Sequence, residues 1–253
     1  MTETIRRDSS GFRLRGLGTT RIETFTDAAF AFALTLLAIT LDPPRRMADL
    51  DAALLNVPAF LLSATMLMMF WWGHHEWSRR YGLDDGASLI SSCLLVFTVL
   101  IYVYPLRFMF SLMVSWIGHL AGLPAGDLAG MSGPEDVNKV FVIYGVGFSL
   151  MAASLAQLNL HAWRRREVLQ LDEIERHETK GTIGAWLILA AIGVISTAVA
   201  LVIPPHLALA GVPGWVYATL GVIMPIYGAM LNRRRRRLIE STAECETVEA
   251  EQS

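Results

Sequence analysis

An aspartate near the start of an apolar run long enough to cross a bilayer is the residue in this chain whose chemistry packing explains least. The run is Arg21 to Leu41, RIETFTDAAFAFALTLLAITL, and the aspartate is Asp27. A carboxylate at membrane depth is costly, so such residues face protein or a polar path and mark function. In the same run Phe32, Leu36 and Ile39 recur at the i, i+4, i+7 spacing of one helix face, with Thr35 beside them. At about 100° per residue Asp27 lies roughly 140° from Phe32, so the carboxylate and the apolar stripe point in different directions. The next apolar run ends in FWWGHHEW, which brings Trp71, His74 and His75 to the depth of Asp27. A histidine there, His74 or His75, is expected to pair with Asp27 and lock the first helix to the second, although tryptophan and histidine also occur at membrane interfaces for structural reasons. His74, His75, Glu76 and His161 are the candidate metal or haem ligands. They lack the i, i+4 histidine pair of a zinc helix, so no cofactor is expected and no enzymatic chemistry is read from them.

The elements that must hold these residues are membrane helices. The chain has 253 residues, 53% hydrophobic and only 17% charged, with a mean hydropathy of +0.44, outside the range of soluble globular domains. Nearly charge-free runs recur at 22–41, 54–73, 87–116, 140–163, 181–204 and 209–231, each close to the roughly 20 residues a spanning helix needs. The expected fold is therefore an all-α membrane protein of six transmembrane helices. Residues 1–21 form a basic N-terminus without a signal-peptide pattern, 22–231 the membrane domain, and 232–253 a tail that is basic and then acidic.

Basic residues set the orientation. Seventeen of the 21 Lys and Arg residues fall before the first span or after the second, fourth and sixth, and only Arg45, Arg46 and Lys139 lie on the opposite side, with Arg107 within the third span. Both termini are expected to be cytoplasmic in a multi-pass protein of the cell inner membrane. The Arg233 to Arg237 run reads as an anchor at anionic lipid heads, with no nucleic-acid partner expected. Cys93 and Cys245 offer no disulfide framework. Pro105 is expected to kink or end the third helix near the outer face, and Arg107 to snorkel. Gln157, Asn159, His161 and Pro225 fit interhelical hydrogen bonds and a bend, and 164–180 reads as a charged helical extension.

Arg21, Phe25, Thr26 and Asp27 form R-x-x-x-F-T-D, followed by AAFAFALTLLAI. This resembles the R-x-x-x-F-S-D motif that opens the first helix of the prokaryotic transmembrane protein 175 family of potassium channels. The Trp71, His74, His75 cluster and Pro105 match that family in type and order. The resemblance implies a homotetramer in which the first helices line a central pore, with Phe32, Leu36 and Ile39 at the constriction and Thr35 at the family's threonine position. Arg21, Phe25, Thr26 and Asp27, with the histidine side of the second helix, would hold the pore helix. Thr26 stands where serine is usual and keeps the hydroxyl; Phe32 replaces the usual isoleucine.

The function implied is a potassium-selective or potassium-preferring channel, with potassium ions, membrane lipids and further copies of the chain as partners. No T-V-G-Y-G loop is present, so an apolar constriction has to work by size, dewetting and dehydration cost. A secondary transporter or a proton-conducting protein is the alternative. The motif occurs once and the first helix has no midplane Gly or Pro, unlike the broken, repeated helices of transporters. Helical phase leaves one conflict: Arg21 falls about 20° from Phe32, at a pore mouth and away from Asp27.

Overall fold

A computed structural model of the chain describes residues 7–8, 11–39, 46–122, 134–203 and 211–252. Among the described residues eight helices follow one another: α1 Arg21–Ile39, α2 Met47–Leu55, α3 Val57–Tyr81, α4 Gly86–Leu120, α5 Pro134–Arg164, α6 Glu173–Val202, α7 Val212–Ala218 and α8 Leu220–Gln252. Of these described segments six are long and apolar enough to cross a membrane: α1, α3, α4, α5, α6 and the α7–α8 pair. Their lengths follow from the bilayer, since about 30 Å of hydrocarbon needs about 20 residues at 1.5 Å each. The ends of α3 and α5 and the starts of α1, α4 and α6 gather at one end of the bundle, termed the basic end below.

Local signals set these boundaries. Thr20 accepts the Glu23 backbone N–H at 3.1 Å and starts α1. Gly82, at φ 58°, stops α3 and donates its N–H to the Ser78 carbonyl. Asp85 caps α4 through the Ser88 N–H, and Asp172 with Glu175 forms a capping box on α6. Burial pushes the Asp85 carboxyl up, but the Ser88 N–H and the His161 ring outweigh it and hold it at about 2, below the ordinary 3.8.

α4 and α5 sit centrally: α1 and α3 pack on α4, α6 packs on α5, and α8 packs on α6. The core is aromatic and aliphatic, with Phe70 stacked on Trp186 and edge-on to Phe148, and Leu67, Met151 and Leu155 fully buried around them. A Cβ at Gly73 would lie 2.3 Å from the Trp186 ring, so only glycine lets that α6 side chain lie this close to the α3 backbone. Several polar groups in this core are paired. Trp77 donates to the Leu158 carbonyl at 3.0 Å, Tyr102 donates to the Tyr144 carbonyl, and Tyr81 bonds Thr179 at 2.8 Å.

Several sequence expectations are corrected. α3 runs eight residues past Gly73, because the HHEWSRRY segment finds protein partners at the basic end. Pro105 does not end the third span; α4 continues through it to Leu120. Arg107 does not only snorkel: it donates to the Leu37 carbonyl at 3.3 Å, at the C-terminal end of α1, where carbonyls lack intrahelical donors. The 164–180 stretch is broken by turns, with Gln170 at φ 49°, before α6 begins. The last span is interrupted at Thr219, and α8 then runs unbroken across the expected boundary at 231. The 122–138 connection falls largely outside the described residues.

Candidate functional site

One face of α1 lies uncovered while the opposite face is the most buried surface of the helix. Ile22, Thr26, Phe30, Ala33 and Leu37 are buried against α3 and α4. Arg21, Thr24, Phe25, Ala28, Ala31, Phe32, Thr35, Ala38 and Ile39 are exposed, Phe32 at 56% against 2% for Phe30. On ideal geometry the exposed positions span an arc of about 140° running from Ala38 to Phe25. Phe32, Thr35 and Ile39 fall within it as the sequence expects. Leu36 lies at its edge and packs partly on the core. Apart from Arg21, Thr24 and Thr35 the arc is apolar, mixing alanines with Phe25, Phe32 and Ile39; Arg21 at its start is exposed and forms no ion pair among the described residues. Phe25 is also on this face, about 20° from Phe32, and not in the network against α3 where the motif would put it.

The Thr35 hydroxyl donates to the Ala31 carbonyl at 2.9 Å. Its single proton is therefore used inside the helix, and the oxygen lone pairs remain on the uncovered face.

Asp27 is not paired with either histidine. Its Oδ1 accepts the indole N–H of Trp71 at 2.8 Å. The reason is helical phase on α3: Trp71 and His75 share a face and stack at 5.3 Å, while His74 turns inward and bonds the Ser92 hydroxyl at 2.9 Å. His75 instead approaches Glu23, Nδ1 to Oε1 at 3.5 Å. Spacing analysis singled out Asp27 and missed Glu23, which is 2% exposed and lies on the buried side of the same motif. The T-x-x-E signature of Thr20 and Glu23 could have marked it. Glu23 Oε2, Thr26 Oγ1 and the Nδ1 atoms of both histidines are buried without a hydrogen-bond partner among the described residues.

The chain before α1 is part of the same support. Residues 11–20 cross the basic end beneath α3 and α6, with Phe12 fully buried, edge-on to Tyr81 and under the Arg80 guanidinium. Glu175, fully buried, accepts from the Arg13 backbone N–H at 2.9 Å, from Arg13 Nη2 at 2.8 Å and from Arg15 Nη2 at 2.8 Å. The hydrogen-bonded Glu175 carboxylate raises the Arg13 guanidinium further above its ordinary value. Arg80 pairs with Asp8 at 3.1 Å and with Glu76 at 2.8 Å, and the Gly16 N–H donates to the Arg79 carbonyl. Residues 11–20 of the basic N-terminus thus form a strap that fixes where α1 enters the bundle. Of the candidate ligands, Glu76 is held by Arg80 and His161 by Asp85 at 2.8 Å, apart from His74 and His75.

The site is thus a six-span helical bundle whose first helix is clamped at its entry, anchored on one side and bare on the other. Comparison with known proteins agrees. A profile of the endosomal/lysosomal potassium channel TMEM175 matches residues 21–105. A potassium channel of Marivirga tractuosa is 29% identical over 241 residues, covering 94% of this chain and 98% of its own. The crystal structure of a variant of the potassium channel MtTMEM175 aligns with a TM-score of 0.80 at 27% identity, over 90% of this chain and all of that one. A TMEM175 homologue from Chamaesiphon minutus aligns at TM-score 0.53 and 20% identity, a likeness of fold. Likeness to the transmembrane protein 175 potassium channels thus extends over nearly the whole chain.

Proposed function

We propose that this chain forms a potassium-conducting channel in which four copies bring their α1 helices around one axis. The observation that carries this reading is the uncovered, mainly apolar arc of α1, opposite a face buried against α3 and α4. Its relatives are potassium channels, and the likeness extends over nearly the whole chain. Closed assemblies of identical chains are symmetric, and an alanine-rich helix can approach its copies closely.

Phe25, Phe32 and Ile39 recur every seventh residue on this arc and would form successive apolar rings. Such rings exclude water and pass the ion that sheds its hydration at lower cost, which favours potassium over sodium. Between the Phe32 and Ile39 levels, the Thr35 oxygens would offer a cation unshared lone pairs in place of water. Asp27, tied to Trp71 on the far side, holds the helix and does not touch the ion. Arg21 stands at the pore mouth instead of pairing with Asp27, in line with its helical phase. The excess of basic residues at one end places that end, and both termini, in the cytoplasm of a cell enclosed by this inner membrane.

Reconstitution in liposomes under a potassium gradient tests the reading. Passive potassium flux exceeding sodium flux is expected. Flux obligatorily coupled to protons, or none, would overturn it in favour of a transporter.

A further inference from the structure

A second site lies away from α1, on the outer side of α5. Ala153, Ala156, Gln157, Leu160, His161 and Arg164 follow one another at i, i+3, i+4, i+7, i+8 and i+11, a single helix face. With α4 on one side and Leu187 of α6 on the other, this face floors an open cavity of about 400 Å³. The two alanines keep the floor low, and Leu160 and Leu187 make its sides apolar.

Within it sits Ser91 of α4, 2% exposed and part of the groove lining. At its mouth, on the basic end, Arg164 is exposed and has no ion-pair partner among the described residues. Asp85 is engaged by His161 at 2.8 Å and by Arg165 at 3.3 Å, and makes no ion pair with Arg164.

From Arg164 to Ala153 the helix rises about 16 Å. Half of the hydrocarbon core of a bilayer is about 15 Å. A groove of one leaflet's depth, apolar along its length and cationic at its interfacial end, has the dimensions and charge order of one anionic phospholipid. We infer that this cavity binds an anionic phospholipid, its phosphate at Arg164 and His161 and one acyl chain along Ala156 and Ala153. Gln157 and the Ser91 hydroxyl would meet the glycerol esters, and the lipid would staple α4, α5 and α6 from outside the conducting path.

Native mass spectrometry of the intact protein from dioleoyl phosphatidylglycerol and dioleoyl phosphatidylcholine mixtures reads the site directly. Retained phosphatidylglycerol in excess of phosphatidylcholine is expected. Arg164→Gln should lower that retention about fivefold, the worth of one interfacial cation. Lys139→Gln, which removes an exposed charge at the opposite end of α5, should leave it unchanged. Ala153→Trp, at an exposed position, should fill the groove and lower retention of both lipids. Equal losses from Arg164→Gln and Lys139→Gln, or full retention in Ala153→Trp, would overturn the site. Ion flux plays no part in this readout, so failure of the channel reading would leave it standing.

Discussion

Replacing Glu175 with alanine should release the N-terminal strap while leaving the bundle folded. The carboxylate is fully buried and shared by two guanidinium groups whose side chains are only 20% and 19% exposed. Breaking a buried ion pair by removing one partner typically costs 3–5 kcal/mol. Both arginines here retain some access to water, so the low end applies, about 3 kcal/mol, or roughly a hundredfold in the docking equilibrium. Hydrogen exchange of the intact protein in detergent or nanodiscs reads this: amides at 11–20 should exchange up to a hundredfold faster, while those of α5 keep their protection. Asp172→Ala removes the cap of the same helix and the longer contacts of Asp172 with Arg7 and Arg13, at 3.5 and 3.8 Å, and should cost only about 1 kcal/mol. Unchanged exchange at 11–20, or an equal rise throughout the bundle, would refute the role given to Glu175.

Other expectations can be checked on the same preparation. Trp71→Phe keeps the stacking ring and deletes the donor to Asp27; it should destabilise the protein by about 1.5–3 kcal/mol, seen as a lower thermal midpoint, with ion preference unchanged. Gly73→Ala should cost about 1–3 kcal/mol in the same assay, because the new methyl meets the Trp186 ring. The Asp85 carboxyl is held at about 2 against an ordinary 3.8, so its stabilising share is complete above about pH 4 and lost as pH falls toward 2. Asp85→Asn should flatten that acid limb of a pH–stability curve; an identical limb in both proteins would remove Asp85 as its source.

The six spans were legible because bilayer thickness imposes a length that no shorter periodic signal can imitate. The uncovered face of α1 was legible in phase, since Phe32, Thr35 and Ile39 repeat on one side, and the same arithmetic put Arg21 there against the motif's suggestion. Partner choice was not legible. Trp71, His74 and His75 all reach the depth of Asp27, and only the rotation of α3 decides that the indole donates while His74 turns to α4 and His75 to Glu23. The strap escaped for a different reason. Arg13 and Glu175 are separated by 162 positions, and nothing local in the basic N-terminus distinguishes a docked arginine from a solvated one. Arg107 was read as snorkelling because its acceptor, a carbonyl at the end of α1, is a backbone group that leaves no mark in the sequence.

The central claim is that α1 lines the conducting path with Phe32 at its narrowest ring. Potassium and sodium flux through liposomes carrying Phe32→Ala, beside wild type at equal incorporation, tests it most directly. In the four-copy arrangement proposed above, a ring of four phenylalanines would exclude water and narrow the path, with each ring face offering a cation roughly 0.5 to 2 kcal/mol. Truncation should therefore raise total flux and admit sodium, lowering the potassium-to-sodium ratio, whereas Phe32→Ile should keep the ratio above one. Unchanged flux and an unchanged ratio in Phe32→Ala would contradict the placement of α1 on the pore axis.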